Sequence, residues 1–229
     1  MARVDPASVT QQDLIRWAEA LSGVARTGLG FTESLYERER YEEIVHIAAE
    51  MRSAAGHSID RATLASEWMK GVGQGASGYV TPKVAIGAVV GNDNGEILLI
   101  QRSDSGHWLY PTGWADIGYS PAEVAVKEVH EETGIEAEVI GLIAVLDGMR
   151  RGFTRTPLYS LVFHLRAIGG TLAAHPLECR DVGFFSFDAM PDPLAGGANL
   201  WGLAASAIRG DALAPYYDEP RGSVWRVGE

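Results

Sequence analysis

From Pro121 to Gly134 the chain reads PAEVAVKEVHEETG, a stretch that sets Glu128, Glu131 and Glu132 within five positions and then stops at a glycine. On a helix turning about 100° per residue, these three carboxylates share an arc of roughly 100°, with Ala122, Ala125, Val126 and Val129 on the arc beside it. Like charges at such spacings cost a helix about 0.2–0.5 kcal/mol per pair, and more where the dielectric is low. In this stretch only Lys127 is placed to relieve them. A hard divalent cation removes the penalty outright. Mg²⁺ takes oxygen ligands, retains several waters and bridges carboxylates to phosphate oxygens, so the chemistry suggested is cation-assisted attack on a phosphate. The plain alternative is a solvated acidic face.

Other side chains could serve the same chemistry, each with an ordinary structural reading beside it. Gly113, in PTGW, could bring backbone close to a phosphate or a cation, or could simply turn the chain. Trp114 could stack on a nucleobase or pack against the protein. Arg102 could clamp a phosphate or sit on the surface. Glu178 and Asp181, in PLECRDVGFF, are later acids that could join the cluster or cap a solvated turn. Asp116 is placed to order the loop before the helix. Asp147, Arg150 and Arg151 form a polar loop that could cover a substrate. His107 and His130 have no partner histidine at metal-ligand spacing and read as surface or packing residues.

The elements around these residues follow from pattern. Ser120 suits the N-cap of the glutamate helix, Pro121 its first turn and Gly134 its C′ position. KVAIGAVV and EILLIQR are aliphatic runs separated by NDNG, which predicts a hairpin or a sharp reversal over 83–102. HWLYP predicts a short strand, and EVIGLIAVL, PLYSLVFHLRAI and VGFFSF predict three more, with a last helix near Asn199 to Arg209. Strands on both sides of a helix, with a second helix at the end, predict an α/β fold whose mixed sheet is covered on both faces.

The first third reads differently. Leu14, Trp17, Ala18, Leu21 and Val24 recur at helical spacing after Thr10, with Gly28 and Gly30 as the stop, and Tyr41, Ile44, Val45, Ala48 and Met51 mark a second helix. A third runs from Asp60 to Lys70. GVGQGASG, residues 71–78, reads as a linker. The expected domains are therefore 1–70, helical; 71–78, linker; and 79–229, α/β. So few helices seldom bury enough surface alone, which leads us to expect a homodimer through the stripes Leu14, Trp17, Leu21 and Ile44, Val45, Ala48, with docking on the chain's own second domain as the alternative.

Composition narrows the function. A formal net charge of −11 opposes unassisted binding of nucleic acid or an anionic membrane, so an anionic substrate needs a cation as intermediary. No apolar run approaches the roughly 18–20 residues of a membrane span, and MARVDPASVTQQ lacks the apolar centre of a secretory signal. Cys179 is the one cysteine, which fits a reducing compartment. A cytoplasmic location is expected.

The wider stretch PTGWADIGYSPAEVAVKEVHEETGI resembles the Nudix box, GX5EX7REUXEEXGU with U aliphatic. Gly113, Glu128, Val129, Glu131, Glu132, Gly134 and Ile135 match; Tyr119 stands where the family has Glu, Lys127 where it has Arg, and Thr112 where a second glycine is usual. From about residue 11 to residue 190 the chain is similar to the subfamily that hydrolyses X-linked nucleoside diphosphates and carries an extra N-terminal helical domain, on TGLGFTESLYERERYEEIVHIAAEM, GYVTPK and GWADIGYSPAE. That subfamily often reads Val-Asp-Val-Arg after TPK, whereas Ala85 and Gly87 replace the polar pair here. The resemblance implies a Nudix-type α/β/α sandwich and a small-molecule nucleotide substrate, cleaved to a nucleoside monophosphate and X-phosphate with Mg²⁺ or Mn²⁺. It implies Glu128 and Glu132 as principal ligands, Glu131 as ligand or base, and Gly113 and Glu178 as further contacts to the metal. Substrate contacts would come from Arg102, Gly113 and Trp114. A CDP-alcohol such as CDP-choline is favoured, because the proline that ADP-ribose enzymes often carry about fifteen residues past the box comes later here, at Pro157. The alternatives are ADP-ribose or another nucleotide sugar, or a non-catalytic nucleotide sensor.

Overall fold

Thr10 opens the first helix with a capping box. Its hydroxyl accepts from the Asp13 N–H, and the Asp13 carboxylate accepts from the Thr10 N–H. In the computed structural model, which describes residues 9–55, 60–70, 72, 80–116, 119–154 and 156–220, this helix is α1 (Gln11–Phe31). The described chain divides into two units, one formed by residues up to Pro82 and one by Lys83–Pro220. All but Val72 of the Gly-rich stretch 71–78 lies outside the described residues.

In the first unit α1 is followed by α2 (Leu35–Ala54) and α3 (Arg61–Met69), the last capped by Asp60, whose carboxylate accepts from the N–H groups of Ala62 and Thr63. The core joins Ala25, Leu29, Val45, Ala48, Ala49, Leu64, Ala65 and Trp68. Two expectations are corrected here. Gly28 and Gly30 do not end α1. A Cβ on Gly28 would overlap the Tyr41 ring, so this glycine lets the two helices approach closely within a continuing helix. The buried line of α1 is Ala18, Ser22, Ala25 and Leu29, while Leu21 and Val24 are exposed, because small residues admit the neighbouring helix and larger ones would hold it off. Arg52 is buried as well, ion-paired with Glu19.

The second unit is one mixed sheet carrying two helices. β1 (Lys83–Gly91) is followed by β2 (Ile97–Arg102), β3 (Trp108–Leu109), β4 (Thr112–Trp114), helix α4 (Pro121–Thr133), β5 (Ile135–Asp147), β6 (Leu158–Gly170), β7 (Cys179–Phe185), helix α5 (Ala198–Ile208) and β8 (Tyr216–Tyr217). Among the described residues the order is β3-β2-β1-β6-β5-β8, with β4 also on β1 and β7 also on β2. β1 runs parallel to β6, and β5 parallel to β8. The NDNG segment is a tight reversal, in which the Asn92 side chain accepts from the N–H groups of Asn94 and Glu96 and Gly95 takes φ 75°. It pairs its strands only at Gly91↔Ile97, which frees the edge of β1 for β4 at Ala85–Gly87. That exchange of partners brings the TGW segment into the sheet. Both faces are covered: Ile86, Ala88, Val90 and Leu98 pack on Val124, Ala125 and Val129 of α4, and Val89, Leu99, Tyr110 and Val162 pack with Leu200, Ala204 and Ala207 of α5.

Candidate active site

Helix α4 is held at both ends by the residues the sequence nominated. The Ser120 hydroxyl accepts from the Glu123 N–H, the Glu123 carboxylate accepts from the Ser120 N–H, and Gly134 closes the helix at φ 71°. The buried side of α4 comprises Val124, Ala125, Val129, Glu132 and Thr133. Glu132 therefore belongs to the packed face itself, whereas the sequence pattern puts all three glutamates on the face next to it.

Glu132 is 2% exposed, and its Oε2 accepts from the Thr112 N–H at 3.0 Å. Burial pushes its carboxyl up to about 8 against the pull of that hydrogen bond; the charges of Glu128 and Glu178 add to the rise and Arg102 offsets it. Glu128, one helical turn earlier, is also raised, first by burial. It lies so close to β4 that a Cβ on Gly113 would overlap its carboxylate. The register Gly113↔Ile86 and Thr112↔Gly87 fixes the segment against both glutamates.

Glu131 has the opposite setting. Its side chain is 52% exposed and meets Lys127 Nζ at 3.0 Å, and the same ammonium meets Asp116 at 3.0 Å. These two hydrogen bonds, that to Glu131 first, raise the lysine well above its ordinary value. Asp116 thus anchors the loop before α4 to the helix.

The other candidates separate. Glu178 precedes β7, with its carbonyl accepting from the Ser103 N–H, and its charge reaches both Glu128 and Glu132. Asp181 sits opposite Gln101 on β7, and its carboxylate accepts from the Val182 N–H. Arg102 ends β2 and grips Asp104 in two hydrogen bonds, of 3.1 and 2.8 Å, with its other Nη 3.5 Å from the Thr112 hydroxyl. Trp114 is 54% exposed, with Lys83 Nζ 5.2 Å from its ring centre. His107 and His130 are exposed.

Among the described residues no three His, Cys, Asp or Glu side chains converge as a group that could hold a metal ion. The donor set nevertheless suits a hard divalent cation. Glu132 is buried and receives one backbone N–H, Glu128 is half-buried beside it, and the charge of Glu178 adds to their repulsion.

Residues 81–201 match the family model described as NUDIX domain, and residues 12–62 match that described as UDP-X-like, N-terminal oligomerisation domain. The chain belongs to the Nudix family. It is 33% identical over 76% of its length to YjhB of Bacillus subtilis, provisionally named an ADP-ribose pyrophosphatase, covering 81% of that protein. It is 34% identical over 49% of its length to the ADP-ribose pyrophosphatase of Methanocaldococcus jannaschii, covering 67% of it. Among solved structures, a UDP-X diphosphatase is similar over 92% of this chain and 100% of its own, with 28% identity and a TM-score of 0.55. The protein is accordingly a Nudix hydrolase, and its relatives carry pyrophosphatase names. Nudix enzymes generally use a divalent metal. No helix among the described residues is long and apolar enough to cross a membrane.

Within the Nudix domain, Tyr119 is 54% exposed and lines an open groove with Ala122, Val126, His130 and Val139 on the outer side of α4. The loop of Asp147, Arg150 and Arg151 is tied down from the far end of the domain. The Asp147 N–H donates to Asp218 at 2.7 Å, Arg151 Nε donates to the same carboxylate at 3.0 Å, and Arg150 reaches the Glu219 carbonyl. Sequence reasoning missed Thr112 as a partner of Glu132, since a backbone donor has no residue-type signature. It also missed β8, whose two residues are too short to show a period, and Lys83, which reads as an ordinary strand start.

Proposed function

We propose that this Nudix protein is an Mg²⁺- or Mn²⁺-dependent pyrophosphohydrolase that cleaves a nucleoside diphosphate joined to a group X, giving a nucleoside monophosphate and X-phosphate. The observation that carries this reading is the pairing of buried Glu132 with half-buried Glu128, both held against the Thr112–Gly113 backbone and both raised first by burial. Glu128 and Glu132 would hold the metal, with Gly113 and Glu178 as further contacts; of the two roles expected for Glu131, ligand or base, its exposure beside Lys127 favours the base. When bound, the divalent cation supplies charge neutralisation at the phosphate oxygens and a more acidic water. The chain's own groups do the rest. The Thr112 N–H keeps Glu132 aimed, and Gly113 leaves room for Glu128. Glu131, open to solvent and next to Lys127, takes the proton of the attacking water as its oxygen bonds to phosphorus and the bridging P–O bond breaks toward the departing phosphate. Arg102 and Trp114 are the proposed contacts to phosphate and base.

The relatives' names put ADP-ribose and UDP-linked compounds alongside the CDP-alcohols favoured by the sequence, and all three belong in the first assay. We read the helical unit as the part that makes the protein a homodimer. Support comes from the match to an oligomerisation domain and from exposed Leu21, Val24, Phe31, Leu35, Tyr36 and Ile47; of the expected stripe, Val45 and Ala48 lie instead in the unit's own core with Ile44 packed against them, because α2 spends that face on α1 and α3. We keep the limits 1–70, 71–78 and 79–229 for the domains, and a cytoplasmic location on the strength of the lone, buried Cys179. The test is incubation with ADP-ribose, UDP-sugars and CDP-choline under Mg²⁺ or Mn²⁺, with products separated by chromatography. Release of nucleoside monophosphate from at least one compound is expected. No turnover of any of them with either metal would replace this reading with that of a nucleotide sensor.

A further inference from the structure

Lys83 stands apart from the other cations of its unit. Among the described residues of Lys83–Pro220, Arg102, Lys127, Arg151, Arg166 and Arg209 each pair with a carboxylate, and Arg150 and Arg180 are spent on the carbonyls of Glu219 and Ser103. Lys83 has no oxygen partner among the described residues and lies over the Trp114 ring, 5.2 Å from its centre.

Its position follows from strand register. Lys83, Ala85 and Gly87 share one face of β1 by the two-residue period, and Trp114, directly opposite Ala85, and Thr112, opposite Gly87, share that face. The space above Gly87 is filled by the Tyr110 ring, which a Cβ at that position would strike. Ala85 has almost no side chain. Lys83 and Trp114 are therefore the large groups standing toward the start of β1, and Trp114 continues the same three-residue strand whose Thr112 and Gly113 meet Glu132 and Glu128. An aromatic face that is 54% exposed and an ammonium with no carboxylate partner among the described residues stand side by side, one strand position beyond the Gly113 that meets Glu128, and match a nucleobase next to a phosphate.

We propose that Lys83 and Trp114 act as a substrate-recognition pair, with Trp114 stacking on the nucleobase and Lys83 binding an oxygen of the adjacent phosphate. The proposal rests on the pyrophosphohydrolase reading above and adds to it a positioning residue, Lys83, at a site where Ala85 and Gly87 offer no polar group.

The experiment uses the full chain with Lys83→Met, Lys83→Arg, Trp114→Leu and Trp114→Phe. Steady-state kinetics are measured on whichever nucleotide the wild type hydrolyses, and the binding of UMP, AMP and CMP is measured by calorimetry without metal. Lys83→Met should raise KM by about tenfold with kcat within about threefold, because the lost contact is made equally in ground and transition states, and Lys83→Arg should recover most of it. Trp114→Leu should raise KM and weaken the monophosphate that binds wild type best, with Trp114→Phe intermediate. Unchanged KM and unchanged monophosphate affinity in both Lys83→Met and Trp114→Leu would overturn the pair and leave the pyrophosphohydrolase reading intact. Should the wild type hydrolyse nothing, that reading fails and the calorimetry alone decides: weakened monophosphate binding in the variants supports the pair, unchanged binding or no binding by the wild type overturns it.

Discussion

Glu131 and Glu132 are adjacent in sequence and differ in almost every physical respect. Glu132 is 2% exposed, takes a backbone N–H from a strand and has its carboxyl pushed up to about 8. Glu131 is half open to water and meets a lysine that is itself shared with Asp116. A helix turns about 100° between neighbours, enough to move a carboxylate from beneath β4 to the outside of the domain. The comparison teaches that the box supplies two kinds of acid from one run: an inner carboxyl that burial raises and an outer one, exposed beside a lysine.

Replacing the inner acid breaks this contrast most severely. Glu132→Gln is expected to lower kcat by about 10²-fold or more and to weaken divalent-metal binding, while the fold is kept or, as pH rises toward about 8, slightly stabilised because a neutral amide avoids the cost of ionising a buried carboxyl. Turnover within threefold of wild type would remove Glu132 from the metal site. The outer acid should behave otherwise. For Glu131→Gln we expect a loss of kcat of about 10–10²-fold with metal affinity, read by calorimetry, little changed; equal losses of affinity in the two variants would erase the division of roles.

A pH titration sharpens the same point without catalysis. The carboxyl of Glu132 ordinarily titrates at 4.5 and is raised to about 8 in the fold, so the folded state holds a proton that the unfolded state has released. The stability gained from that proton is full below 4.5 and is lost as pH climbs to about 8, at no more than about 1.4 kcal/mol per pH unit. Metal-free protein should therefore show a falling Tm across this window, and Glu132→Gln should flatten the fall. Glu131→Gln should not; a slope unaffected by Glu132→Gln would assign the effect elsewhere. The smallest effect is expected at Tyr119. As it lines the groove on the outer side of α4, Tyr119→Phe should leave kcat/KM within about threefold of wild type, whereas a lost hydroxyl contact to substrate would cost about 1–3 kcal/mol.

Much of this site was legible because it is local. Ser120, Pro121 and Gly134 state where α4 begins and ends, since capping and positive φ are met by residue type within a few positions. The spacing of Gly113, Glu128, Glu131 and Glu132 is that of the family the chain belongs to, and Thr10 and Asp60 likewise mark helix starts. The same local logic erred at Gly28, which reads as a stop by type but serves the close approach of Tyr41 from another helix.

What the amino-acid order determined by itself is therefore the set of elements, their caps and the identity of the acids, because each depends on interactions across at most a helical turn or a tight reversal. Which acid is buried was decided only when β4 displaced β2 along the edge of β1 and laid the Thr112 N–H against Glu132. The tie between Asp147, Arg151 and Asp218, the filling of the Gly87 face by Tyr110 and the seat of Lys83 on Trp114 have the same origin. Each joins residues from separate elements, and dielectric, register and close contact are properties of the assembled sheet and its covering helices, which no single segment carries.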